Sequence, residues 1–305
     1  LAGKNRKDPR REMQFRSVLG DDGIFLRVEG KEALLRAAET FCANDIDIIA
    51  VSGGDGTLHQ VLSAFVRHYG ERPLPRLACL RSGTMNTVTN SIKIKGSSAS
   101  TLEKLVDRYR KGLSFTTWEQ PLMRVNDVYG FMTGAGVVAR FLSVYYSTKR
   151  PGPIHAAGMV SRMILSVIFR TSYNSRIFNP INCRIVVDGE YLPQTDFLFI
   201  LGCTIRELGL GFTPTPKAYE KPGHFHLLAG SMSPPNLLPK IPALWLGKDI
   251  DHPKLYYNDI AAEMIIEPTG EIPWMMDGDI YSTDQSLRFS VGPVITIVAP
   301  KAPGS

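Results

Sequence analysis

The sequence predicts an α/β protein: an N-terminal open α/β domain followed by a C-terminal antiparallel β-rich domain. One observation is the apolar run Ile46-Asp47-Ile48-Ile49-Ala50-Val51, which gives way to glycines and then to a helical pattern at Leu58, Val61, Leu62, Phe65 and Val66. Another is the change from about Pro121, where helical periodicity yields to short alternating runs. Length is the third, since 305 residues exceed what a single core usually serves. The domains expected are residues 1–119, completed by a closing strand at 293–305, and residues 120–292.

The basic stretch from Lys4 to Arg16 reads as a solvated, mobile face. Glu32 to Cys42 is amphipathic through Leu34, Ala37, Ala38 and Phe41, the spacing of a helix with one apolar side. Arg76 to Leu80 reads as a second strand, Leu102 to Tyr109 as a further helix, and Leu113 to Trp118 leads out of the domain. Beyond it, strands are expected at Ile181 to Val187, Phe197 to Leu201, Ala262 to Glu267 and Leu287 to Val291, with turns at Asn126-Asp127 and Asp188-Gly189. Helical insertions are expected at Val138 to Ser147 and Ile154 to Phe169. The proline-punctuated apolar segment Ser233 to Leu246 reads as a packed connection, and Tyr145, Tyr146 and Trp245 as core aromatics.

Composition narrows the class. Hydrophobic residues at 44% and charged residues at 21% describe a soluble globular chain, and no run reaches the roughly 18 to 20 apolar residues that cross a bilayer. The apolar stretch Ala156 to Phe169 is interrupted by Ser161 and Arg162. Cys42, Cys79, Cys183 and Cys203 sit in apolar patterns without metal-type spacing, and no signal peptide is recognisable, so a cytoplasmic location is expected. A net charge of +6 favours anionic partners. Without a recognition helix, zinc finger or aromatic-and-basic strand, nucleic acid is not among them. His224 and His226 share one strand face but have no third ligand nearby, and read as structural.

The chemistry concentrates at Gly53-Gly54-Asp55-Gly56-Thr57. A strand, a glycine turn and a helix start is where backbone N–H groups hold phosphate. The glycines are expected to take φ > 0 and bring bare N–H groups near an anion, with Thr57 adding a hydroxyl donor. A carboxylate inside such a turn repels phosphate unless it holds a metal or takes a proton, so Asp55 points to a metal ion and to phosphoryl transfer. The motif is neither G-x-G-x-x-G nor G-x-x-x-x-G-K-[ST].

Two further segments accompany it in order: Arg81-Ser82-Gly83-Thr84-Met85-Asn86-Thr87 and Trp274-Met275-Met276-Asp277-Gly278-Asp279-Ile280-Tyr281. Together the three resemble the Gly-Gly-Asp-Gly-Thr, Gly-Thr-x-Asn-Asp and Asp-Gly-Glu motifs of the diacylglycerol kinase catalytic-domain family, which includes sphingosine kinases and soluble bacterial lipid kinases. Gly134-Ala135-Gly136-Val137 and Gly209-Leu210-Gly211-Phe212-Thr213-Pro214 are similar to glycine segments of the second domain, which extends the resemblance over nearly the whole chain. Leu1-Ala2-Gly3-Lys4 is similar to the tail of the family's Asn-Pro-x-Ala-Gly loop, whose Asn-Pro pair and preceding strand are absent from this chain.

The resemblance implies a kinase that moves the γ-phosphoryl group of ATP, with Mg²⁺, to a lipid hydroxyl, residues 120–292 forming the lipid-substrate domain. It implies nucleotide contacts at Gly53 to Thr57 and at Gly83, Thr84 and Asn86. Asp55 is implied as a magnesium contact, and Asp277 as the catalytic base with Asp279 as its alternative. It also implies peripheral contact with an anionic membrane and allows a homodimer. Three positions depart from the family pattern: Gln60 and Thr87 where acidic residues are usual, and Asp279 in place of Glu. Lys221-Pro222-Gly223-His224-Phe225-His226 stands where soluble bacterial members carry an acidic segment for a structural magnesium. An NAD kinase, or a non-catalytic nucleotide- or lipid-binding relative, is the other reading of the same motifs.

Overall fold

The computed structural model describes residues 9–81, 97–146, 158, 161–162, 177–208, 211–250 and 254–300. The chain divides into two compact units, residues 1–122 with 293–305, and residues 123–292.

The first unit opens with α1 (Pro9–Leu19) and α2 (Lys31–Ala43), followed by β1 (Ile48–Gly53), α3 (Asp55–Tyr69), β2 (Arg76–Arg81) and α4 (Ser98–Arg110). It then leaves through β3 (Thr116–Val125). β1 and β2 run parallel, Ile48 opposite Arg76, with α3 as the crossover between them. The last strand of the chain, β15 (Leu287–Ala299), returns to pair parallel with β2, Ile297 opposite Leu77.

The basic N-terminal stretch is not the mobile face expected of it where the structure describes it. Within α1, Phe15, Val18 and Leu19 fall at i, i+3 and i+4, and Phe15 is 2% exposed in a core with Leu80, Leu102, Leu105 and Val298. The charges line the outer side, where Glu12 pairs with Arg16 at 3.0 Å. α4 begins on an N-cap side chain, Ser97 accepting from the Ser100 N–H, and carries Arg108 and Arg110 in its last turn, where cations suit the helix dipole.

The second unit is a β-sandwich. After β4 (Val128–Gly130) and β5 (Met132–Gly136) comes α5 (Val137–Tyr146), then β6 (Ile181–Val187), β7 (Glu190–Tyr191), β8 (Asp196–Phe197), β9 (Phe199–Cys203) and β10 (Phe225–Gly230). Two short helices, α6 (Pro234–Leu237) and α7 (Ile241–Trp245), lead to β11 (Tyr256–Ala261), β12 (Glu263–Pro268), β13 (Ile272–Met276) and β14 (Asp279–Thr283). One sheet has the order β11-β10-β9-β5-β13-β14, antiparallel throughout. In the other, β12 lies antiparallel between β6 and the start of β15. Ile185 and Met264 from one sheet and Leu227 and Met276 from the other meet in a single core. The tight turns fall at the predicted Asn126 (φ 50°) and Asp188 (φ 48°).

Tyr145 is buried and stacks on Phe141, as expected of a core aromatic. Trp245 differs: it is 38% exposed, its ring tilted against Phe212 with centroids 5.0 Å apart. The described part of the expected helix Ile154 to Phe169 is limited to residues 158 and 161–162, and no helix among the described residues is long and apolar enough to cross a membrane.

Candidate active site

The phosphate turn is made where β1 hands the chain to α3. β1 is anchored by buried Ile49 and Val51 and ends on Gly53, while Gly54 caps α3 in an extended conformation (φ −96°, ψ −174°) with no side-chain hydrogen bond. The helical ladder starts at Leu58, whose N–H donates to the Gly54 carbonyl at 3.0 Å. The N–H groups of the first turn have no acceptor inside the helix, and they carry the positive end of its dipole.

The positive φ expected of these glycines is absent. Gly53 lies in β1, Gly54 is extended and Gly56 lies in α3. They act by size. A Cβ on Gly53 would come within 2.5 Å of Thr57 Cβ and 2.8 Å of its hydroxyl oxygen, so the Thr57 side chain lies directly over the Gly53 backbone. Removing every side chain from this corner lets both the threonine and a ligand come close to the main chain. A cavity of about 600 Å³ in the same unit reaches the turn, lined there by Ser52, Thr57 and Gln60 and deeper in by Phe25, Ile49 and Phe65.

Asp55 opens α3, where an acidic residue suits the dipole. Burial first, and the Asp55 charge second, push the Cys79 thiol on β2 up to about 12. Among the described residues no group of three or more His, Cys, Asp or Glu gathers for a metal. A Mg²⁺ carried on nucleotide phosphates needs only one or two protein carboxylates, and one carboxylate at the phosphate turn fits that demand. Gly83, Thr84 and Asn86 lie outside the described residues.

In the second unit, Asp277 and Gly278 form a two-residue hairpin between β13 and β14, with Met276 opposite Asp279 and φ of 46° and 92° at the two turn residues. Positive φ at both positions is the type I′ geometry that Asp-Gly favours. The turn is also a carboxylate mount. Asp277 is 5% exposed, and its carboxylate accepts the Phe131 N–H at 3.1 Å and the Met132 N–H at 2.9 Å. Its own N–H donates to the Met132 carbonyl at 2.9 Å. Gly130 leaves the necessary room, since a Cβ there would lie 2.5 Å from Asp277 Oδ2.

Asp279 opens β14, half-buried. Burial, then the charges of Asp279 and Asp277, push the Tyr281 phenol up to about 12, and its ring stacks on Trp274 at 4.6 Å. Gly130 and the N–H groups of Phe131 and Met132 carry no motif that singles them out in the sequence, whereas Tyr281 closes the third segment.

The two histidines do not make a metal pair. His226 is fully buried in β10, its Nδ1 accepting the Lys217 N–H at 3.2 Å and its Nε2 lying 2.7 Å from Asn258 Oδ1, whereas His224 precedes the strand and turns to the Pro222 carbonyl.

Comparison with known proteins bears on which glycine-turn family the chain resembles. Residues 2–117 match the model of the diacylglycerol kinase catalytic domain. A diacylglycerol kinase of Staphylococcus haemolyticus strain JCSC1435 is 25% identical over 250 residues, covering 79% of this chain and 68% of the relative. The crystal structure of a diacylglycerol kinase from Bacillus anthracis strain Sterne shares the fold at a TM-score of 0.62 and 14% identity, covering 98% of this chain and 90% of that one. The family that the three motifs resemble is the one whose catalytic-domain model matches residues 2–117, and the diacylglycerol kinase match supports a lipid kinase.

Proposed function

We propose that this chain transfers the γ-phosphoryl group of ATP to the hydroxyl of a lipid alcohol such as diacylglycerol, a sphingoid base or ceramide. The observation that carries the reading is the side-chain-free corner at Gly53 and Gly54, ahead of the α3 N-terminus and inside the matched domain. Phosphoryl transfer asks the protein mainly to position phosphates and to neutralise charge. The first-turn N–H groups and Thr57 hold the phosphates, Gly83, Thr84 and Asn86 add a second loop by family resemblance, and Asp55 contacts the Mg²⁺ that arrives with ATP. The lipid oxygen forms a bond to the γ-phosphorus as the bond to the ADP oxygen breaks, and Asp277 takes the hydroxyl proton. Fixing by two backbone donors suits Asp277 to that task, because geometry comes before acidity in a general base. Asp279 is the alternative base or a metal contact. The second unit binds the lipid, and the enzyme meets an anionic membrane from the cytoplasmic side as a peripheral protein.

The test is transfer of labelled phosphate from ATP to a panel of micellar lipid alcohols. Failure to label any of them, with ATP still bound, replaces the reading by a non-catalytic nucleotide-binding relative. Asp277→Asn suits the left-handed backbone and removes basicity, so turnover falls by about 10² to 10⁴ while ATP affinity holds. Parent-rate turnover in Asp277→Asn beside a dead Asp279→Asn moves the base to Asp279. Full activity in both leaves the segment a hairpin and nothing more.

A further inference from the structure

The segment expected to be a packed connection buries Leu237 but leaves its last two apolar side chains, Trp245 and Leu246, outside. None of the residues of α7 is buried, although its sequence is Ile241-Pro242-Ala243-Leu244-Trp245, and Leu246 after it is 61% exposed. The backbone beneath these side chains is held firmly. Gly247 takes φ 66° and its N–H donates to the Leu244 carbonyl at 3.1 Å, while the Lys248 N–H reaches the Ala243 carbonyl at 2.9 Å, a Schellman stop. The Trp245 carbonyl accepts both the Thr213 N–H at 3.0 Å and the Thr213 hydroxyl at 3.3 Å. A Cβ on Gly247 would lie 2.4 Å from the Thr213 carbonyl oxygen, so the helix end sits hard against the loop below it. Trp245 and Leu246 are thus displayed by a fixed support.

Lys240 and Lys248 flank the pair, and the one acidic residue described at residues 231–250, Asp249, accepts the Asn258 amide at 2.6 Å and the Ile250 N–H at 2.9 Å. A partly exposed indole tilted against Phe212, a neighbouring exposed leucine and flanking lysines are the side chains that settle at a bilayer interface: the rings at headgroup level, the ammonium groups toward anionic lipid.

We propose that α7 and Leu246 form the docking edge for an anionic lipid surface, Trp245 and Leu246 entering the interface and Lys240 and Lys248 contacting headgroups. This rests on the lipid-kinase reading for its purpose, but not for its measurement.

The experiment is sedimentation of the full chain with phosphatidylcholine vesicles, with and without phosphatidylglycerol, in the absence of ATP and of any acceptor lipid. The wild type binds the anionic vesicles. Trp245→Ser with Leu246→Ser weakens binding about tenfold or more, the effect of withdrawing a large apolar area from the interface. Lys240→Gln and Lys248→Gln each weaken it about fivefold, and only on anionic vesicles. Leu246→Trp strengthens it, a gain that misfolding does not imitate. Unchanged binding in the Ser pair with an unchanged melting temperature overturns the proposal, as does a wild type that ignores anionic vesicles. A Ser pair that binds vesicles normally but shifts the oligomeric state assigns the surface to a second copy of this chain and also overturns it. Failure of the kinase reading is distinct: it shows as no phosphate transfer to any micellar acceptor, while the vesicle results stand.

Discussion

Two strand–glycine–helix turns, one in each unit, look alike in sequence and differ in how their helix begins. In the second unit β5 ends on Gly136 with φ 70°, where a Cβ would lie 2.4 Å from the Leu198 carbonyl oxygen, and the first N–H of α5, at Val137, donates to that same carbonyl at 2.9 Å. In the first unit Gly54 is extended, supplies no side-chain cap, and sits in a half-buried stretch from Ser52 to Thr57. The neighbouring strand satisfies one helix start, while at the other the glycines keep side chains away from the main chain. A glycine turn whose first helical N–H already donates to a neighbouring carbonyl, as at Val137, has no donor there for phosphate.

Substitution separates the two turns. Gly136→Val strains a left-handed backbone and collides with Leu198, so the second unit loses about 2 to 5 kcal/mol, read as a large fall in melting temperature. A melt unchanged within error breaks the comparison. Gly54→Val meets no strained backbone, and the melt moves by less than about 1 kcal/mol, the scale of a changed N-cap. Its ATP affinity nevertheless falls about 10²-fold, the worth of one or two charge-assisted hydrogen bonds. Undiminished affinity in titration calorimetry ends the case for a phosphate turn at Gly54.

The smallest effect concerns pH and confines itself to the second unit. Burial pulls the His226 imidazole below its ordinary 6.5, against the opposing pull of Asn258 and of Glu220, with Lys217 adding to the lowering. The unfolded chain takes up a proton near pH 6.5 and the folded chain only below that, so stability is fully present above pH 6.5 and is lost as pH falls. Protonation also removes the acceptor that holds the Lys217 N–H. Denaturant melts between pH 7.5 and pH 5 (about two units spanning the imidazole range) follow this decline, and His226→Gln flattens it. Equal slopes in both proteins mean that other groups set the acid limit.

What the sequence shows depends on whether a side chain reports its own environment. The run Ile181 to Val187 alternates and is a strand with those bounds, because one of its faces is core and the other is not. Leu287 to Val291 is only the start of β15, which continues to Ala299; Gly292-Pro293 reads as punctuation but lies within a continuous strand. At the N-terminus, charges hide the three apolar positions that bury α1. At Trp245 and Leu246, apolar character suggests burial, and the Schellman stop that holds them outside is made by backbone atoms. The candidate site divides in the same way. Its glycines and carboxylates announce themselves, while the donors that hold Asp277 belong to the main chain of Phe131 and Met132 and carry no letter of their own.

The mount of Asp277 leaves a trace that descent can record. Because Asp277 Oδ2 and Met276 Sδ both fill the space beside Gly130, a lineage that acquires any side chain at 130 must give up the carboxylate at 277 and also make room at Met276. The two positions are tied across 147 residues of chain and behave as one heritable character. Met132 lends Asp277 a peptide group that most side chains would leave in place, whereas Phe131 is also held by its own burial in the core.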